Sequence, residues 1–189
     1  LFPTVGTRAA LSSVERLVAI GRDRHTTWIR LRVDGASGAF AWGLPLDRTA
    51  YVDSVEDALL DAAELATAPV VISPTAPPAC GVPPHHELPL PPVQFASAPI
   101  ADAALVGDSA SMQATLAQWG VTHERGASTL DSHFSSGRAV LLLLFSSTGR
   151  VTQTTTLRVV TAGPSPVVLD HAIDGSALLR TYVLAGEGT

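Results

Sequence analysis

Ala39-Phe40-Ala41-Trp42-Gly43-Leu44-Pro45-Leu46 is the stretch whose reading decides the fold. It reads as a β-strand that closes at Pro45, a residue with no N–H to give to a ladder and therefore confined to a sheet edge. Everything before Ala39 reads as strands able to pair with it. A helix follows it, and beyond Pro69 the composition changes.

Upstream, Val14 to Ile20 is an apolar run with Arg16 inside it, and Arg22-Asp23-Arg24-His25 is a polar break. Thr26 to Val33 then alternates. Ile29, Leu31 and Val33 fall on one face while Arg30 and Arg32 fall on the other, as period-2 geometry requires. The two runs read as a hairpin. Asp34-Gly35-Ala36-Ser37-Gly38 is a turn that leads into the deciding strand.

Downstream, a helix is predicted from Asp53 to Ala66. Asp53 and Glu56, and also Ser54 and Asp57, have capping-box spacing. Val55, Ala58, Leu59, Ala62, Leu65 and Ala66 form one apolar face at helical spacing. Asp57, Asp61 and Glu64 lie opposite, read as a solvated acidic face rather than a cation site. Ile100 to Val106 reads as a strand. Asp108 caps a second helix with Met112, Leu116 and Trp119 inward, closed by Gly120. A short helix is expected from Ala127 to Phe134, ended by Gly137. The remaining strands are Arg138 to Ser146, Thr152 to Thr161, Val167 to Ile173 and Leu178 to Ala185, with Asp174-Gly175 as a hairpin turn. The uninterrupted Leu141 to Leu144 marks a central strand covered on both faces.

Between Pro69 and Pro99 stand 10 of the 14 prolines. Val70 to Ile72 could still be a short strand, but Pro74 to Pro92 cannot be helix and reads as an extended connection. A loop this long in a compact domain is usually functional. Pro83, Pro84, Leu88, Pro89, Leu90 and Pro91 are accordingly the expected partner-binding residues, in the manner of a proline-rich ligand.

Composition sets the outer bounds. A chain of 189 residues suits one domain and buries enough surface to fold without a staple. Only 15% of residues are charged, well below the usual quarter or so, while 46% are hydrophobic. All 12 basic residues are Arg and there is no Asn, the mark of a GC-rich bacterial genome. A net charge of −5 argues against nucleic acid as a partner, since that affinity comes from neutralising phosphates. The longest apolar run, Ala139 to Phe145, falls far short of the about 20 residues that span a bilayer. A single cysteine, Cys80, excludes an internal disulfide and Cys-rich zinc sites. The chain opens on Leu1 rather than Met, as a processed chain or a piece of a longer one does.

Residue types that carry chemistry are few. Cys80, His85, His86 and Glu87 are zinc or copper ligand types within eight residues, in a spacing that fits no known site. Asp170-His171 and Ser132-His133 invite a hydrolase reading, but no Gly-x-Ser-x-Gly elbow accompanies them. Trp28, Trp42 and Trp119 would form a sugar platform only if exposed together, and their positions suit core packing instead. No cofactor is expected.

Phe40-Ala41-Trp42-Gly43-Leu44-Pro45-Leu46 resembles the F-A-W-x-L-P-x signature of the bacterial family catalogued as domain of unknown function 2330. Ala58-Leu59-Leu60-Asp61-Ala62 and Ala66-Thr67-Ala68-Pro69 are similar to that family's helix and its A-T-A-P ending. Met112 to Gly120 resembles its second helix, and Thr156 to Leu184 its closing strands. The resemblance implies a secreted or envelope protein made with a signal peptide and often anchored after the domain. It implies no reaction. Only Cys80 stands where family members carry several cysteines.

The reading is therefore one α+β domain over 1–189. It has a mixed, mostly antiparallel sheet or pair of sheets, two or three packed helices and a long Pro-rich loop. An N-terminal half (14–72) and a C-terminal half (100–189) are joined by a Pro-rich arm (73–99). The expected function is that of a non-enzymatic extracytoplasmic protein acting through contact with other protein subunits, with no nucleic acid and no membrane span. The alternatives are a metal- or small-ligand-binding module using Cys80, His85 and His86, and, more weakly, a hydrolase.

Overall fold

The computed structural model describes residues 2–3, 9–35, 38–68, 95–121, 131, 133–147, 149, 151–162 and 177–185. Along the chain these form β1 (Phe2–Pro3), β2 (Ala10–Ile20), β3 (Arg24–Asp34), β4 (Gly38–Leu46), β5 (Tyr51–Val55) and α1 (Ala58–Thr67). There follow β6 (Ala96–Ala98), β7 (Ile100–Val106), α2 (Ser109–Gln118), β8 (Ala139–Ser147), β9 (Val151–Thr154), β10 (Thr156–Ala162) and β11 (Leu178–Ala185). The protein is mostly β, with two sheets of mixed, largely antiparallel pairing and few helices. Each sheet combines strands from both halves of the chain, and in the large one they are interleaved.

The deciding stretch is a strand, but not in the sheet expected for it. β4 lies in a small sheet of order β1-β4-β8-β7, paired antiparallel along its whole length with β8. β2 and β3 form the predicted hairpin, yet they belong to a large sheet of order β11-β2-β3-β10-β5. Pro45 is accommodated because β1 pairs only with Phe40 and Ala41, so β4 is locally an edge at Pro45.

The two sheets face each other across the main core. The register places Phe40, Trp42, Leu44, Leu143 and Phe145 on one side of the small sheet, against Val14, Ile29, Leu31, Val33, Leu157 and Val159 of the large one. Phe40 and Phe145 stack at 5.3 Å between ring centroids. The opposite side of the small sheet carries Ala41, Val140 and Leu142, covered by Met112 and Leu116 of α2. β8 is thus covered on both faces, as its apolar run predicts. α2 is built as predicted too. The Asp108 carboxylate accepts from the Ser111 N–H, and Gly120 leaves the helix at φ +66°, a left-handed conformation that glycine adopts without strain.

Several boundaries differ from the sequence reading. The first helix begins at Ala58, not Asp53, because Tyr51–Val55 pairs antiparallel with β10 as strand β5. Asp57 holds the N-cap position without making a side-chain cap. Thr152 to Thr161 is not one strand. It runs beside β3 throughout, but the register slips by one residue between Gln153↔Arg32 and Leu157↔Ile29, a β-bulge at Thr155. The Thr154 hydroxyl accepts the Leu31 N–H at 3.0 Å there. Beyond the bulge β10 turns to β5, while β9 pairs with β6, a short strand inside the stretch read as a Pro-rich arm. β11 runs parallel to β2 rather than antiparallel. Val70 to Ile72, Val167 to Ile173, Asp174-Gly175 and most of the 127–134 helix lie outside the described residues, although 131 and 133–135 are helical.

Candidate functional site

The outer face of the large sheet, away from the sandwich core, holds an unusual concentration of charge. Glu15 faces Arg30 across the β2–β3 pairing and Arg180 across the β11–β2 pairing, and Arg32 follows Arg30 on the same face. Arg30 is fully buried. Its Nε donates to Glu15 at 2.5 Å, its Nη1 to Asp61 at 2.5 Å and its Nη2 to Glu64 at 3.4 Å. Arg32 sits 3.0 Å from both Glu15 and Glu64, donates to Gln153 at 3.2 Å and lies over the Phe95 ring at 4.4 Å. Arg180 donates to Glu64 at 2.7 Å.

This network corrects the reading of α1. Asp57 and Glu64 are half-buried against the sheet beside Leu60, and Asp61, although 60% exposed, reaches back to Arg30. Asp57 accepts from the Thr156 hydroxyl and from Gln153. Leu60 is the one buried residue of the helix. Its stripe at 57, 60, 61 and 64 follows helical spacing, with acids where apolar residues usually stand. The predicted core face points to solvent instead: Ala58, Leu59, Ala62, Leu65 and Ala66 are all exposed, Leu65 at 79%.

Beside this inverted helix, β11 is the outermost strand of the large sheet among the described residues. Leu178 (51%), Leu179 (43%), Val183 (59%) and Leu184 (48%) leave it apolar on both faces. Its one charge, Arg180, is turned inward to Glu64. A cleft of about 460 Å³ separates strand and helix, lined by Glu64, Thr67, Ala68, Arg180, Thr181 and Tyr182.

The ion pairs give acid sensitivity a defined direction. Burial alone would raise the Glu64 carboxyl, but the guanidinium groups of Arg32 and Arg180 outweigh it and hold it below the ordinary value. The Arg158 fork, at 2.9 and 2.5 Å, lowers Asp53 in the same way. A carboxyl lowered in the folded state contributes stability that is complete above its unfolded pKa, near 4, and is lost as the pH falls through its lower folded value. Urea midpoints are expected to stay level from pH 7 to about pH 5 and to drop below about pH 4. A midpoint that rises on acidification would contradict this charge assignment.

The residues singled out from sequence fare differently. Cys80, His85, His86 and Glu87, the pair Asp170 and His171, Ser132, and the partner-binding set Pro83, Pro84, Leu88, Pro89, Leu90 and Pro91 all lie outside the described residues. His133 is half-buried in a helical turn, where its carbonyl accepts from Ser136 and Arg138. Trp42 is buried between the sheets, Trp28 stands on the outer face of the large sheet and Trp119 ends α2, so the three do not assemble. Among the described residues no group of three or more His, Cys, Asp or Glu could hold a metal. No helix among them is long and apolar enough to cross a membrane.

Comparison with protein-family models, curated proteins and solved structures finds no match, and lends no support to the resemblance to domain of unknown function 2330.

Proposed function

We propose that the protein is a non-enzymatic contact module of an extracytoplasmic assembly, and that its partner is an extended segment of another protein subunit added to the edge of β11. The observation that carries this is the edge strand itself. Strand edges exposed to solvent are normally blunted with charge or proline, because unpaired N–H and C=O groups template further pairing. β11 has neither defence: its aliphatic side chains are exposed on both faces and its single Arg is tied to Glu64. An added strand would satisfy the outward backbone groups that have no partner among the described residues, and its alternate side chains would meet Leu178 and Leu184 on one face and Leu179 and Val183 on the other. The outward leucines of α1, Leu59 and Leu65, offer a further exposed apolar surface. The extracytoplasmic assignment rests on the low charge and the Ser, Thr and Ala-rich composition. The Pro-rich stretch at 83–91 is proposed as a second contact. Among the described residues nothing favours the metal or hydrolase alternatives.

Hydrogen exchange on the assembly isolated from the protein's own host tests the reading. The alternate backbone amides of 178–185 that point away from β2 are expected to be protected in the complex and to exchange freely in the isolated chain. Val183→Lys together with Leu65→Lys, both at exposed positions, is expected to weaken the complex about a hundredfold while leaving the fold intact. Equal exchange of those outward amides in both states, or a complex indifferent to the two lysines, would refute it.

A further inference from the structure

At the opposite margin of the sandwich the two sheets part, and among the described residues the core is left open. β5 ends the large sheet and β7 ends the small one. On β7, Ala103 pairs with Leu143 and Leu105 with Leu141, so both point to the inter-sheet side. A residue in that register belongs to the core, yet Leu105 is 64% exposed and Ala103 is exposed as well. Val52 and Ser54 of β5 face the same gap from the other sheet, paired with Val159 and Leu157. Between them lies a slot of about 310 Å³ whose walls are Leu46, Ile100, Leu105, Leu141, Leu143 and Leu157.

The slot's chemistry narrows its occupant. Sheets that face each other stand about 10 Å apart, so the gap admits one chain's thickness and not a further layer. Of its polar lining groups, Asp53 is held by the Arg158 fork, which leaves only the Ser54 hydroxyl uncommitted. At about 30 Å³ per methylene, close to the share a water molecule takes in the liquid, the slot holds about ten carbons. The turn 47–50 closes one end, between Leu46 and Ala50, which both line the slot. Arg48 projects from this turn over the end of β7, its Nη2 3.6 Å from where a Cβ on Gly107 would stand. Arg48 donates Nε to the Gly137 carbonyl at 3.2 Å and has no carboxylate partner among the described residues. An apolar slot closed at one end by a turn whose guanidinium has no carboxylate partner among the described residues fits an aliphatic chain that ends in an anion.

We propose that the slot between β5 and β7 binds one unbranched carboxylic acid of about ten carbons, its chain between the sheets and its carboxylate on Arg48. This site is separate from the β11 edge and does not depend on it.

Titration calorimetry with decanoate on the whole chain tests the proposal. One decanoate is expected to bind per chain, and decyltrimethylammonium at least tenfold more weakly. Arg48→Gln is expected to weaken decanoate about tenfold, since a charge-assisted hydrogen bond becomes a neutral one. Ala103→Trp, which fills the slot from an exposed position, is expected to abolish binding with an unchanged melting temperature. The proposal is overturned if decanoate does not bind or if the cationic amphiphile binds equally well. It is equally overturned if Ala103→Trp has no effect, or if Ala103→Trp disrupts a dimer of the chain while decanoate fails to bind.

Discussion

An Arg30→Ala chain is expected to lose about 3–5 kcal/mol of stability, the usual result of removing one partner from a buried ion pair. For a domain of this size that lowers the melting temperature by about 10 °C. The size of the effect follows from what the substitution leaves behind. Arg30 is wholly buried and Glu15 is 1% exposed, so the truncation takes the partner of one oxygen of a buried carboxylate, leaving Arg32 at 3.0 Å to hold the other. Asp61 loses its anchor on the sheet at the same time, and Glu64 is left to Arg32 and Arg180. The converse experiment separates a charge effect from a cavity effect. Replacing the pair together, Glu15→Leu with Arg30→Met, is expected to recover most of the loss, because a buried pair exchanged for apolar residues of similar volume is often neutral or better. Arg32 keeps Glu64 and Gln153 in that variant. Thermal unfolding of the two variants checks both statements. If Arg30→Ala costs less than about 1 kcal/mol, the network is not what holds α1.

How legible was this face in the sequence? The alternation through Ile29-Arg30-Leu31-Arg32-Val33 places both arginines on one side of β3, and the structure agrees. The 3.6 spacing separates Asp57, Asp61 and Glu64 from the alanines and leucines of α1, and that separation is also real. What periodicity cannot supply is which of two faces docks, since it reports a helix's asymmetry and not its partner. The rule that apolar faces go inward assumes an apolar sheet surface opposite, and here that surface carries Glu15, Arg30, Arg32 and Arg180. One signal was available: two arginines at i, i+2 on an otherwise apolar strand and three acids at helical spacing about thirty residues on are complementary in sign. Other misses have a similar cause. Asp53 and Ser54 are good cap residues, but β5 pairs with β10, a hundred residues away, and tertiary pairing overrode the local signal. The open slot was invisible because Leu105 looks like any inward strand residue; only the ends of two separate sheets reveal that none of the described residues covers it.

The rotation of α1 can be settled with two leucines on the same helix. Leu60→Ala is expected to cost about 2–4 kcal/mol, as for a buried leucine whose site cannot fully collapse. Leu65→Ala is expected to fall within about 0.5 kcal/mol of the parent, like other surface changes. The face drawn from apolar spacing predicts the reverse, because Leu65 belongs to it and Leu60 falls outside it. Propensity cannot mask the contrast, since both changes replace Leu by Ala in a helix and Ala is the better helix former. What differs is burial: Leu60 is 1% exposed, on the face that carries the acids, whereas Leu65 is 79% exposed. Urea unfolding of the isolated chain measures both. Its isolation matters, because a partner seated on the outer face of α1 would bury Leu65 and give it a cost that the free protein lacks. A Leu65→Ala penalty that appears only in the complex would locate the partner on this helix. A penalty in the free chain larger than that of Leu60→Ala would mean that α1 sits with its leucines inward and that the ion-pair face has been assigned to the wrong side.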